Sequence, residues 1–186
     1  MALLLAGITV WFLVHLFPAV APVSRENMIF KLGENAYKGL FSLLILAALL
    51  LIVFGWKSSV PTTVYMPPIA PGLLPAVMVF AAFVLFFSSN FNTNAKRYLR
   101  HPQMAGTLLW AAAHLLTNGD SRSVMLFGGL AVWALLEIVL CNRRDGPRDE
   151  LPAASLKYDL IAVLIGGVAW AIVGHFHIKL FGVPPL

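Results

Sequence analysis

The hydrophobic residues of this chain are gathered into six long runs separated by short polar segments. About 20 apolar residues in a helix span the roughly 30 Å hydrocarbon core of a bilayer. The runs are roughly Ala2–Val20, Lys38–Trp56, Gly72–Ser88, Gln103–Thr117, Ser123–Cys141 and Lys157–Leu180. Most of the prolines fall at or beyond the ends of these runs, where helices tolerate them. The pattern therefore predicts an all-α integral membrane protein, a bundle of six transmembrane helices.

The composition also favours a membrane protein over a soluble domain. Hydrophobic residues make up 60% of the 186 residues and charged residues only 11%. The net charge of +5 does not indicate nucleic-acid binding, because the basic residues lie in short loops rather than on one soluble face. No extramembrane segment is long enough for a second domain, so residues 1–186 are predicted to form one domain. Cys141 is the only cysteine, which excludes an internal disulfide, and it is interpreted as a small apolar residue at a helix end.

The loop cations predict the orientation in the membrane. Ten of the thirteen Lys and Arg lie in the first, third and fifth loops, and the other three are Lys57, Arg122 and Lys179. Because cytoplasmic loops carry the excess of Lys and Arg, both termini are expected outside. Residues 19–21 resemble a signal-peptide cleavage site, but no Lys or Arg precedes the first run, so this run is predicted to be a retained membrane helix. The first loop is expected to hold a short surface helix with Ser24 as its N-cap.

One imidazole lies inside the fourth run, where an ionisable residue is a candidate functional residue. The residues Gly106, Trp110, His114 and Asn118 are four apart, so in a helix they form one stripe that drifts by ~40° per step. Such a stripe is typical of a lined cavity with convergent polar groups. The alternative interpretation is helix packing, in which Gly106 allows a close approach and His114 bonds to a neighbouring helix.

A second imidazole, His15, lies in the first run, with Trp11 four residues before it. Two imidazoles from different helices are what a six-coordinate haem iron takes as ligands. Counted from the cytoplasmic ends of the predicted helices, His15 lies ~9 Å deep and His114 ~18 Å deep. Axial ligands of one haem should lie at similar depth, so shared ligation depends on where the helices end.

Glu137 is a candidate for proton handling. A carboxylate is rarely buried without a partner, and Glu137 is expected ~9 Å from the cytoplasmic end, level with His15. A His15–Glu137 pair and an ion pair of Glu137 with a loop arginine are both consistent with the sequence. The remaining membrane histidines, His175 and His177, point ~200° apart on a helix and are expected at the interface rather than on one metal.

The turn Arg100-His101-Pro102 introduces the fourth run. Pro102 suits the first position of a helix, where free N–H groups favour an anion and Arg100 adds a charged donor. A haem propionate and a lipid phosphate are the candidate ligands, and a capped helix start beside lipid headgroups is the alternative. A similar Arg-His-Pro turn occurs in membrane methyltransferases of the isoprenylcysteine carboxyl methyltransferase type, near their S-adenosylmethionine site, although no second cofactor motif of that class is present.

Several of these segments together are similar to the NnrU family of bacterial membrane proteins, whose relatives include the plant 15-cis-zeta-carotene isomerase. The resemblance rests on Arg100–Met104, Gly106, Trp110, Ala113, His114, Asn118–Asp120, Gly33–Leu43, Tyr65–Pro68 and His15–Pro18. It implies haem b as a cofactor, because the plant relatives bind haem b through histidines that match His15 and His114. Those relatives have a cysteine three residues before the second histidine, where this chain has Ala111, so their redox-switched isomerisation is not implied here.

The sequence therefore predicts a multi-pass protein of the bacterial cytoplasmic membrane. The first hypothesis is a haem b protein, an isomerase or redox sensor acting on an apolar or small gaseous substrate, as the family's association with denitrification implies. Its candidate cofactor-binding residues are His15, Arg100, His101, Trp110 and His114. The second hypothesis is a non-enzymatic accessory protein for the expression or assembly of a respiratory enzyme, and the third is a methyltransferase-like enzyme.

Overall fold

The structure, a computed structural model, describes residues 1–185 and is all-helical. Apart from one isolated β-bridge between Thr63 and Asp120, these residues form no β-structure. The helices are α1 (Ala2–Val20), α2 (Pro22–Leu32), α3 (Glu34–Ser58), α4 (Leu73–Ser88), α5 (Ala95–Tyr98), α6 (Pro102–Thr117), α7 (Ser121–Asp145) and α8 (Leu156–Phe181). Helix α7 contains a π-helical stretch over Val124–Gly128.

Each of the six apolar runs corresponds to a helix. Helix α4 begins one residue inside its run, at Leu73, and four of the other helices extend beyond theirs. Helix α3 begins at Glu34, which forms an ion pair of 2.7 Å with Lys38 one turn later. The predicted N-cap of the surface helix is wrong: α2 begins at Pro22, and Ser24 lies within its first turn. Proline fixes the backbone angle φ of a first helical residue without losing a hydrogen bond, which explains the earlier start.

Four helices are long and apolar enough to cross a membrane: α1, α3, α7 and α8. Helix α4 is a shorter apolar helix of 16 residues, and α6 also has 16 residues. Large apolar side chains such as Leu13 and Leu164, each 67% exposed, cover the outside of the bundle. A surface of this kind suits contact with lipid and is rare on soluble monomers.

Glycines let the helices approach closely, which is the usual packing device in membranes. A Cβ at Gly7 of α1 would lie 2.7 Å from the backbone nitrogen of Ile52 of α3. In the other half of the bundle, a Cβ at Gly106 of α6 would lie 2.7 Å from the carbonyl oxygen of Ala82 of α4, and Gly166 of α8 meets Val84 of α4. Helix α7 lies between the two halves and contacts both α1 and α6.

The two ends of the bundle are tied by polar contacts. At one end, here called the Asp120 end, the Met1 ammonium donates to Ser59 Oγ at 2.7 Å and Ser121 N donates to the carbonyl of Thr62. At the other, the Asn94 end, the side chain of Asn94 bonds to Asp159 and to Ala154. The segments after α4 and after α7 are thereby held against each other beside the start of α6.

Candidate functional site

His114 lies near the C-terminal end of α6 and is 7% exposed. Its ring stacks on Phe127 of α7, with 4.3 Å between the ring centroids, and Trp110 lies 4.9 Å away. His114 Nδ1 is 2.8 Å from the carbonyl oxygen of Trp110. Because a carbonyl only accepts hydrogen bonds, Nδ1 carries the proton and Nε2 keeps its lone pair. The ring is therefore fixed in orientation and offers one ligand nitrogen.

His15 repeats this local arrangement on α1. Its Nδ1 is 3.0 Å from the carbonyl oxygen of Trp11, four residues earlier, so Nε2 again keeps its lone pair. Three aromatic rings from three helices surround it: Trp11 at 4.1 Å, Trp133 of α7 at 5.0 Å and Phe41 of α3 at 5.8 Å between centroids. Tyr37 extends the group through its contact with Phe41. These five residues are called the His15 cluster.

The His15 cluster contains buried donors that have no acceptor. The indole nitrogens of Trp11 and Trp133 and the hydroxyl of Tyr37 are buried without a hydrogen-bond partner. They are three of the five such side-chain atoms in residues 1–185. Trp133 is 3% exposed and Tyr37 7% exposed. An unpaired buried donor costs about 1–3 kcal/mol, and a neighbouring aromatic face compensates only weakly. The cluster is therefore suited to a ligand that supplies acceptor atoms.

The two histidines pack against different parts of α7. His114 contacts Phe127, whereas His15 contacts Trp133, six residues further along the same helix. Six residues correspond to a rise of roughly 9 Å along a helix, which is of the same size as the depth difference expected from the sequence. Ligation of one iron by both histidines stays a prediction.

Three other candidate residues do meet. Arg100, His101 and Glu137 line one cavity of about 320 Å³ at the Asn94 end, together with Cys141. Arg100 Nη1 donates to the carbonyl of Gly146 at 2.7 Å, and His101 Nε2 lies 2.9 Å from Asn142 Oδ1. Both side chains thus tie the start of α6 to the end of α7. Binding of a propionate, of a lipid phosphate or of a methyl donor by this turn stays a prediction.

Neither of the two alternative pairings of Glu137, with His15 or with a loop arginine, is present among residues 1–185. In residues 1–185 Glu137 forms no ion pair, and its one hydrogen bond comes from Cys141 Sγ to Oε1 at 3.5 Å. Its Oε2 is buried and unpartnered. Cys141 lies one turn after Glu137, so the nearest available donor on the same helix face takes the place of the distant histidine. The proton-handling role of Glu137 stays a prediction.

Tyr65, which belongs to the family resemblance but has no predicted role, holds the other end of α6. The hydroxyl of Tyr65 donates to the carbonyl groups of Leu115 and Asn118, and the backbone of Tyr65 passes directly over Gly119. Burial and the neighbouring Asp120 carboxylate raise the pKa of Tyr65, so the hydroxyl stays a donor. Asp120 itself caps α7, accepting from the backbone nitrogens of Arg122 and Ser123. The turn after α6 thus has a structural function.

These residues have several of the features that a haem site needs. Each imidazole, with Nδ1 donating to a backbone carbonyl and Nε2 free, has the form of an axial ligand. The two rings contact positions of α7 roughly 9 Å apart along that helix, and ligation of one iron by both stays a prediction. Of the two sites, the His15 cluster also has unpartnered buried donors for the oxygen atoms of a ligand. Residues 1–185 hold no group of three or more His, Cys, Asp and Glu suited to a metal ion.

Comparison with known proteins gives one informative match. A family model described as NnrU protein matches residues 3–185, nearly the whole chain. Searches of curated proteins and of solved structures give no match. The match covers both membrane histidines, the Arg100-His101-Pro102 turn and the Asn118-Gly119-Asp120 turn. The chain therefore belongs to the NnrU family.

Proposed function

We propose that this protein crosses the cytoplasmic membrane of a bacterium six times, with both termini outside, and binds haem b within the membrane through His15. One feature supports the six crossings, and a second supports the orientation. Helices α4 and α6, with 16 residues each, are about 24 Å long, and they run between the same two polar ends as the four longer helices. Ten of the thirteen cations belong to the loops of the Asn94 end, which makes this end the cytoplasmic one.

The His15 cluster carries the haem proposal. Its imidazole is held in one orientation by the Trp11 carbonyl, and its Nε2 is free to bond. Trp11, Phe41 and Trp133 supply flat apolar walls from three helices, as a planar macrocycle needs. The unpartnered N–H groups of Trp11 and Trp133 are the donors that would bond to an acceptor atom of the cofactor or of its ligand.

Haem would supply an iron that exchanges one electron or binds a small gaseous molecule. The protein residues would orient the axial nitrogen, keep water away from the cluster and donate hydrogen bonds. His114 belongs in this proposal to a second, separate aromatic group formed with Trp110 and Phe127. The role that follows is the sensing or handling of a small gaseous or apolar substrate inside the membrane.

The test is the haem content of the protein purified in mild detergent from cells supplied with a haem precursor. We expect about one haem b per chain, with the absorption spectrum of histidine-ligated iron, measured against total protein. A preparation that is folded and monodisperse but contains no haem, and that takes up none when hemin is added, would overturn the proposal. The accessory function in the expression or assembly of a respiratory enzyme would then be the better hypothesis.

A further inference from the structure

The Asp120 end of the bundle gathers three cations that are far apart in the sequence. Lys57 at the end of α3, Arg122 at the start of α7 and Lys179 near the end of α8 line one cavity of about 380 Å³. Trp56 and residues 180–182 complete its wall. These three are the only Lys and Arg outside the loops of the Asn94 end, so all the Lys and Arg side chains of this end line one cavity.

The positive charge of this cavity has little compensation. Among residues 1–185, Lys57 and Lys179 form no ion pair, and Arg122 has one neighbouring carboxylate, Asp120 Oδ1 at 3.6 Å from its Nε. The Asp120 oxygens are already used as the cap of α7, with Ser123 Oγ donating to Oδ2 at 2.5 Å. Like charges held close together repel, and the repulsion is larger where water is partly excluded. A ligand of opposite charge would relieve it.

Arg122 is held ready for such a ligand. Its guanidinium lies over the ring of Trp56, 4.4 Å from the centroid, which fixes the plane of the side chain. Its Nε is buried and donates to no acceptor. The Trp56 indole, in turn, donates to the carbonyl of Phe181 at 3.3 Å, so the wall formed by α3 and α8 is closed behind it. An oriented guanidinium beside two ammonium groups is a typical arrangement for binding an oxyanion.

We propose that this cavity, the cation cavity, binds the phosphate group of an anionic ligand. A phosphate offers several acceptor oxygens, enough for one guanidinium and two ammonium groups together. The rim includes apolar side chains at the end of α8, with Leu180 48% and Phe181 41% exposed. The phosphate therefore comes either from a phospholipid headgroup, whose chains would lie along α8, or from free phosphate. The inference does not depend on haem.

The test is a binding measurement on the purified full-length protein in neutral detergent. The probes are phosphatidylglycerol, inorganic phosphate and, as a lipid without phosphate, diacylglycerol. We expect Lys57→Gln and Lys179→Gln each to weaken phosphatidylglycerol binding roughly tenfold, because each removes one charge-assisted bond. The matched control, Lys157→Gln at the Asn94 end, should bind like the parent. Added salt should weaken binding by the parent, because the site remains open to solvent.

The set of probes that bind distinguishes the two phosphate sources. Binding of both phosphatidylglycerol and inorganic phosphate means that the phosphate group alone suffices, and binding of the lipid alone means that the chains contribute as well. Both lysines are near the surface of helix ends, so their variants should fold, which near-parental thermal unfolding would verify. Equal binding of diacylglycerol and phosphatidylglycerol, parental affinity in both lysine variants, or no binding of either phosphate source would overturn the proposal.

Discussion

His15 and His114 make the same contacts within their own helices, but the neighbouring helices surround them differently. Each histidine follows a tryptophan by four residues, bonds through Nδ1 to the carbonyl of that tryptophan and contacts an aromatic ring of α7. Around His114, no buried polar atom of the ring or of Trp110 lacks a partner among the described residues. Around His15, three buried donors lack a partner: the indole nitrogens of Trp11 and Trp133 and the hydroxyl of Tyr37. A repeated sequence pattern thus fixes the local geometry, while the neighbouring helices decide which site has bonds left to form.

The glycine contacts that shape the His15 half give the largest expected effect. Gly55→Leu should destabilise the protein strongly, because a side chain there would meet the backbone of Leu4 in α1. Overpacking of this kind costs about 1–3 kcal/mol or more. Gly39→Leu lies on the same helix in open space and is the matched control. Thermal unfolding in detergent measures both, and equal midpoints would show that α1 and α3 do not pack as described.

A Tyr→Phe substitution at the His114 end should have an intermediate effect. Tyr65→Phe removes the hydroxyl that donates to the carbonyl groups of Leu115 and Asn118. Two partly buried acceptors lose their donor, and the expected cost for the two bonds together is about 1–3 kcal/mol. The free energy of unfolding of Tyr98→Phe, at a position that is 82% exposed, should equal that of the parent. Unchanged stability of Tyr65→Phe would remove the structural role given to this turn.

The same substitution in the His15 cluster should have the smallest effect and the opposite sign. Tyr37→Phe deletes a buried hydroxyl that has no partner, and its ring keeps the contact with Phe41. The free energy of unfolding of the ligand-free protein should therefore equal that of the parent or exceed it by about 1 kcal/mol or less. A clear loss of stability on deletion would reveal an acceptor for this hydroxyl and would weaken the contrast between the two regions.

Much of the fold follows from the sequence, because apolar runs bounded by prolines and charges determine where helices lie. The position of α1, Ala2–Val20, agrees at both ends. The prediction of Ser24 as the N-cap of α2 is wrong, because Pro22 is also a favourable first residue and the helix begins there. The Nδ1 bonds of the two histidines also follow from local spacing, since a side chain on a helix reaches the preceding turn.

The composition of the sites could not be read from the sequence in the same way. Trp133 joins the His15 cluster from a helix that begins more than a hundred residues later, and nothing local marks it out. The cation cavity likewise combines Lys57, Arg122 and Lys179. In the sequence these are only the three Lys and Arg outside the loops that predict the orientation. Such groupings arise from helix packing, where glycines such as Gly7 and Gly166 set which faces meet.

The assignment of haem b to the His15 cluster is tested most directly by the haem-to-protein ratio of two variants, His15→Ala and His114→Ala, purified beside the parent. Both variants remove an imidazole whose Nδ1 bonds only to its own helix, so they are matched in chemistry. We expect His15→Ala to lose haem b and His114→Ala to retain it at the parental ratio. Loss of haem in both variants would mean that the two histidines share one iron. Loss in His114→Ala alone would contradict the assignment to His15.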